Sequence, residues 1–299
     1  FISSKTGFIA ETLQKNYSEL FFENFHPEIM ANKLKELCDI HNLGNRYQEA
    51  FITLNKSCDK ENISNMWLGL MSYSKTKKET IDVENIICVG LHDVMGEVHD
   101  SITTPTSVFR DFVTYVANKG YGICSMHDYL NKSKEEKKKW IVCTFDDGYK
   151  SLTYDALQIL KNQGFTATVF ICTGLIGKDN SWNNKDAILR QHLDFNDINL
   201  LREEGWELAS HGVLHKNLLK LSDKEIEYEL YESKQTLIQL IGYCESYAYP
   251  YGAYNKFIRR CVEKYYAYAF TVDQGGTLMA VDKHQLKRYS ITEIYKILQ

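Results

Sequence analysis

From residue 86 to the C-terminus, short apolar runs alternate with amphipathic stretches, and no other feature of the chain constrains its fold as strongly. Residues 86–91, 141–145, 167–172, 206–210, 247–249 and 268–272 read as buried strands. Residues 108–118, 154–162, 196–204, 222–240 and 256–264 read as the helices between them. Gly120, Gly164 and Gly205 stand where helices end, and Glu225 is spaced to close a capping box with Ser222. Strands and helices in this rhythm predict an α/β fold with a parallel sheet. At about seven units the expectation is a distorted (β/α) barrel rather than an open sheet.

Residues 1–80 differ. Their apolar positions recur at helical spacing around Leu20, Leu34 and Phe51, and no strand is evident, so an N-terminal helical segment is expected there. The polar, lysine-rich stretch 72–80 reads as a surface linker, which places the main domain at 81–299. A chain of 299 residues with 44% hydrophobic residues can bury a sizeable core. With 35 basic against 39 acidic side chains, a net charge of −4, it has no basic excess to bind nucleic acid. The eight cysteines form no Cys-x-x-Cys pair and several lie inside apolar runs, which favours a reducing, cytoplasmic setting over a disulfide framework. No signal peptide or membrane-length apolar run is legible, although the chain opens on Phe1 and a leader removed upstream stays open. Oligomeric state is not legible.

The chemistry-bearing residues follow the strands. His92, the pair Asp146-Asp147, His211 and the turn Pro250-Tyr251-Gly252 each stand just past a strand's C-terminal end, the rim where α/β barrels carry their active sites. Two adjacent carboxylates at the end of a buried strand need a positive partner, and a metal ion is the obvious one. The alternative is a plain Asp-Asp-Gly turn. His211 and His215 are four apart, which on a helical turn would put both imidazoles on one face. With Asp147 they make a His-His-Asp set that leaves positions open on a divalent metal, zinc first, with nickel or cobalt as alternatives.

Thr144-Phe145-Asp146-Asp147-Gly148, His211-x-x-x-His215 and Tyr249-Pro250-Tyr251-Gly252, in this order and separation, resemble the first three motifs of the polysaccharide deacetylases, the NodB-homology domains of carbohydrate esterase family 4. The resemblance spans roughly residues 86 to 295. It implies removal of N-acetyl groups from the amino sugars of a glycan, and a cell-envelope setting as the rival to the cytoplasm. It further implies Asp146 as catalytic base, Asp147, His211 and His215 as metal ligands, and the Tyr251 backbone N–H as an oxyanion donor, with Pro250 and Tyr251 shaping the substrate site.

The chain departs from the family in three places. Gly212 stands where Ser or Thr is usual, removing a loop hydrogen bond, and Ala248 stands where an Arg often orients the base. The late motifs are missing: only Asp273 lies near the fourth, and His284 does not match the fifth. The poly-N-acetylglucosamine deacetylases are more similar, with an Ala-Tyr-Pro-Tyr-Gly third motif and a permuted barrel whose first strand supplies the general acid. Leu91-His92-Asp93-Val94 fits that place, with Asp93 expected to orient His92 and Arg288 expected to replace the missing Arg or to touch substrate. Two other readings stay open: a non-catalytic glycan-binding module on the same barrel, and a hydrolase of a small non-sugar amide.

Overall fold

The computed structural model describes residues 86–98, 100–181, 188–272 and 282–299, together with two short pairs, 3–4 and 21–22. The chain divides into two compact units, Phe1–Lys77 and Lys78–Gln299. In the first, Ser3–Ser4 pairs in parallel with Phe21–Phe22, so the expected helix does not hold at Phe21 and Phe22. The rest of the helical segment expected over 1–80 lies outside the described residues.

The second unit is a parallel (β/α) barrel. Its strands are β1 (Ile87–Leu91), β2 (Gly122–Cys124), β3 (Trp140–Phe145), β4 (Thr168–Ile171), β5 (Glu207–Ser210), β6 (Ser246–Ala248) and β7 (Tyr268–Phe270). They lie in the order β7-β6-β5-β4-β3-β1, every pairing parallel. β3 is central. One edge pairs with β1 along its length; the other is shared, by β2 at Trp140–Val142 and by β4 at Thr144–Phe145. Sequence periodicity missed β2, a three-residue strand behind the turn at Gly120.

Closure comes from a segment with no strand-like run of its own. Leu286 bridges Phe270 of β7 and Tyr289 bridges Val89 of β1, both in parallel. Leu286 N–H donates to Ala269 (2.8 Å), Thr271 N–H to Leu286 (2.9 Å), and Gly90 N–H to Tyr289 (3.0 Å). Residues 286–289 are therefore the stave that joins the two sheet edges and leaves neither unpaired.

Helices cover the outside: α1 (Thr106–Asn118), α2 (Met126–Asn131), α3 (Lys134–Lys137), α4 (Asp155–Lys161), α5 (Phe195–Glu203), α6 (Asp223–Ile241), α7 (Lys256–Tyr265) and α8 (Ile291–Ile297). The expected Ser222–Glu225 capping box starts α6, and Gly242 with φ 89° ends it. No helix among the described residues is long and apolar enough to cross a membrane.

Strands buried on both faces explain the near-continuous apolar runs. Alternate residues go to different cores. Cys88, Val142, Phe170, Ala209, Ala248, Phe270 and Leu286 fill the barrel, while Val89, Cys143, Phe145, Val169 and Leu208 meet the helices. Leu286 is fully buried in the inner core, so Leu286→Ala should lower unfolding free energy by about 2–5 kcal/mol, measured by urea denaturation. A change under about 1 kcal/mol would mean that the stave is not part of the cooperative fold.

Candidate active site

The inward register of the strands continues past the apolar tier into a polar one. On β1 the inward positions are 86, 88 and 90, and the next is His92; on β3, 142 and 144 lead to Asp146; on β5, Ala209 leads to His211; on the closing stave, Leu286 leads to Arg288. Period-two alternation alone thus gathers an acid, two imidazoles and a guanidinium at the C-terminal rim.

Asp147 breaks the alternation and reaches the same place by a different device. Its φ is 68°, and Gly148 follows at 70°. The chain turns sharply at the end of β3, so two consecutive carboxylates face one centre. Besides Asp147, the non-glycine residues with positive φ among the described ones are His215 (52°) and Tyr251 (59°). All three are at this rim, as expected where a fold holds a functional geometry under strain.

Asp147 Oδ1 is buried, accepts no hydrogen bond, and lies 3.5 Å from His211 Nε2 and 3.3 Å from His215 Nε2. Asp147, His211 and His215 form a group able to hold a metal ion, their ligand atoms within 4.8 Å of one another. An orphaned carboxylate oxygen facing two imidazole nitrogens suits a divalent cation. His211 Nδ1 donates to the Ala248 carbonyl (2.8 Å), which fixes the tautomer that leaves Nε2 as an acceptor. Burial pushes the imidazoles of His211 and His215 down to about 4, so both are neutral at pH 7, the form that binds metals. The expected helical turn is not there. The two histidines lie in a loop bent at Gly212 (φ 81°), and loop geometry, not helical spacing, brings their ring centroids to 4.9 Å.

Asp146 is 2% exposed and paired with Arg288 through two parallel bonds, Nη1 to Oδ1 (2.6 Å) and Nη2 to Oδ2 (2.8 Å). Burial would raise this carboxyl's pKa; the guanidinium overrides it and holds the group below the ordinary range. Arg288 is itself fixed by Thr271 O (2.9 Å) and Thr144 Oγ1 (3.3 Å). Its stem crosses β1 at Gly90, where an added Cβ would come within 3.2 Å. Its donor fork is spent on Asp146, and only 5% of its surface is exposed.

His92 Nε2 is 3.9 Å from Asp146 Oδ2, and the side chain is 37% exposed. Asp93 does not orient it. That carboxyl is fully buried and accepts from Arg190 Nε (2.6 Å) and from Ser151. Arg190 also bonds Thr103 (2.5 Å) and Asp100, so the segment after His92 is anchored from residues 188–192. The same segment supports Asp147: His192 Nδ1 meets the Asp147 carbonyl at 2.9 Å, and its ring stacks on Tyr149 at 5.1 Å.

Tyr251 is 58% exposed, its ring 4.5 Å from that of His215. Pro250 is buried and shapes the turn rather than meeting substrate. Gly252 is obligatory there, since a Cβ would lie 2.2 Å from Val272 Cγ2. The loop hydrogen bond expected to be lost at Gly212 is supplied from α6: Glu229 Oε2 accepts from Val213 N–H (2.6 Å) and Leu214 N–H (3.1 Å). Trp206 is buried and stacks on Phe145 in the core. Asp273 lies outside the described residues, and His284 is buried with Nε2 on the Tyr266 carbonyl.

Residues 133–269 match the family model described as polysaccharide deacetylase. A Bacillus subtilis relative bearing a polysaccharide deacetylase name is 24% identical over 198 residues, 64% of this chain and 67% of that protein. The poly-β-1,6-N-acetyl-D-glucosamine N-deacetylase of Staphylococcus aureus is 25% identical over 199 residues, 62% of this chain and 67% of that one. The crystal structure of a Streptococcus pyogenes deacetylase in complex with acetate shares the fold, with a TM-score of 0.61 and 21% identity over 72% of this chain and 98% of that one.

Replacing Arg288 by Met should cost about 3–5 kcal/mol at pH 7, because Asp146 is left charged, buried and unpaired. The deficit should narrow as pH falls: wild type loses the Asp146 contribution below the ordinary carboxylate pKa of about 3.9, while the variant gains from protonating the stranded acid. Adding Asp146→Asn should recover most of the loss. Urea unfolding across pH tests this, and a variant as stable as wild type at pH 7 would contradict the pairing.

Proposed function

We propose that this chain is a polysaccharide deacetylase, a metal-dependent N-deacetylase acting on N-acetylated amino sugars within a glycan. The observation that carries the reading is Asp147 Oδ1, buried and unsatisfied between two imidazole nitrogens, with ionised Asp146 held beside it. Asp147, His211 and His215 would hold the cation. A divalent ion there, zinc first with nickel or cobalt as alternatives, would polarise the amide carbonyl and acidify a water molecule.

The chain's own residues account for the remaining requirements. Asp146 is the acceptor for the water proton. The Arg288 pair lowers its basicity, so Asp146 contributes through its fixed position and permanent ionisation at neutral pH. The Tyr251 backbone N–H, carried on a strained turn, is the donor for the developing oxyanion. His92, across from Asp146 and open to solvent, protonates the departing amine.

Access favours a large substrate over a small amide. Tyr251 and His92 both stand open at the rim, and a cavity of about 230 Å³ begins at Val94 and Met95, just after His92 in the chain, and is also lined by Tyr154 and Leu189. N-acetylglucosamine is the sugar proposed, by likeness to the staphylococcal relative. The non-catalytic reading rested on the residues lost at positions 212 and 248, and Glu229 and Arg288 make the corresponding bonds.

Metal analysis of the purified protein, combined with acetate release from N-acetylglucosamine oligomers, tests the reading. Stoichiometric divalent metal and acetate release are expected. Asp146→Asn should keep the metal while acetate release falls about 10²- to 10⁴-fold, and His92→Ala should lose a comparable factor. No metal uptake by wild type, or unchanged turnover in Asp146→Asn, would refute it.

A further inference from the structure

Between His211 and His215 the backbone has to hold an unusual shape. Gly212 and His215 both have positive φ; between them Val213 is buried and Leu214 is exposed. The carbonyl side of this loop is held by the segment after β4: Thr173 N–H donates to Gly212 O (3.1 Å) and Gly174 N–H to Val213 O (2.8 Å). Of the loop amides, Gly212 N–H donates to Ser210 Oγ (3.2 Å), and those of Val213 and Leu214 share one acceptor, Glu229 Oε2. Glu229 is 2% exposed, and among the described residues its carboxyl makes no other hydrogen bond. Burying a carboxyl is costly unless it is well bonded, and here every bond it makes goes to the two-histidine loop. The loop in turn leaves room for the acid: a Cβ at position 212 would come within 3.0 Å of Glu229 Oε2.

We infer that Glu229 is the positioning residue of the metal centre, setting the loop between His211 and His215 so that both Nε2 atoms face Asp147. The inference rests on the proposed metal site. Without this acceptor, the buried N–H of Val213 and the part-buried N–H of Leu214 lose their partner, and the loop must move for the first to find water. Moving it displaces His215, whose strained φ persists only while its surroundings fix it.

Zinc affinity of the intact chain, measured by competition with a chelating dye, is the test. Glu229→Ala should bind zinc about 10- to 100-fold more weakly than wild type, the loss usual for a residue that orients a ligand. Glu229→Gln keeps an oxygen acceptor in the same place and should bind close to wild type. Melting of both variants in chelator separates this from unfolding, and amide hydrogen exchange should speed up at Val213 and Leu214 in the Ala variant alone. Wild-type zinc affinity in a folded Glu229→Ala, or equal losses in Ala and Gln, would overturn the inference by itself. A wild-type chain that takes up no zinc would overturn it together with the reading on which it rests.

Discussion

Everything at the rim is organised around one buried ion pair. Asp146 ends the central strand and Arg288 rides on the segment that closes the barrel, so the bond between them is both the last contact of the fold and the frame of the site. Such a pair offsets the cost of desolvating two charges only with good geometry and with its remaining donors satisfied. Here the guanidinium meets the carboxylate through two parallel bonds, and Thr271 and Thr144 take other contacts from the same side chain. Gly90 is part of the same arrangement, since a larger residue would press on the arginine stem.

Above the apolar tier the barrel follows a simple rule with three exceptions. Inward alternation delivers His92, Asp146, His211 and Arg288, and those side chains need no special backbone. Asp147, His215 and Tyr251 are reached instead through left-handed conformations, which a glycine-poor fold accepts only where neighbouring bonds enforce them. Such bonds are visible around them: Gly148 N–H to Asp146 O, the Glu229 clamp on the histidine loop, and Gly252 N–H to Tyr249 O. The site combines a regular lattice of strand ends with three enforced bends.

This division also explains what could be read from the sequence. The long strands and α1, α4, α5, α6 and α7 were legible because each shows a period, and the strand-end position of the acids and imidazoles followed from them, whereas the short α2, α3 and α8 were not read. β2 and the closing stave were not legible, because three residues, or two bridged positions in Leu286-Lys287-Arg288-Tyr289, show no period. The helical turn expected for His211 and His215 failed because spacing cannot distinguish a helix from a loop bent at a glycine. Asp93 was assigned to its chain neighbour His92, whereas its partner, Arg190, lies 97 positions away. Glu229 read as an ordinary residue of an amphipathic helix, and only its distance to two amides reveals otherwise.

The position of Arg288 in the chain has a consequence for how the protein is made. The counter-charge for Asp146 arrives 142 positions later in the chain, on the stave that also seals the barrel interior. During synthesis the seven strands β1 to β7 emerge with an open seam and a hydrated, unneutralised acid beside it. Completion of the core and assembly of the site are therefore one event, delayed until residues 286–289 have emerged, and a product cut short before residue 288 lacks both.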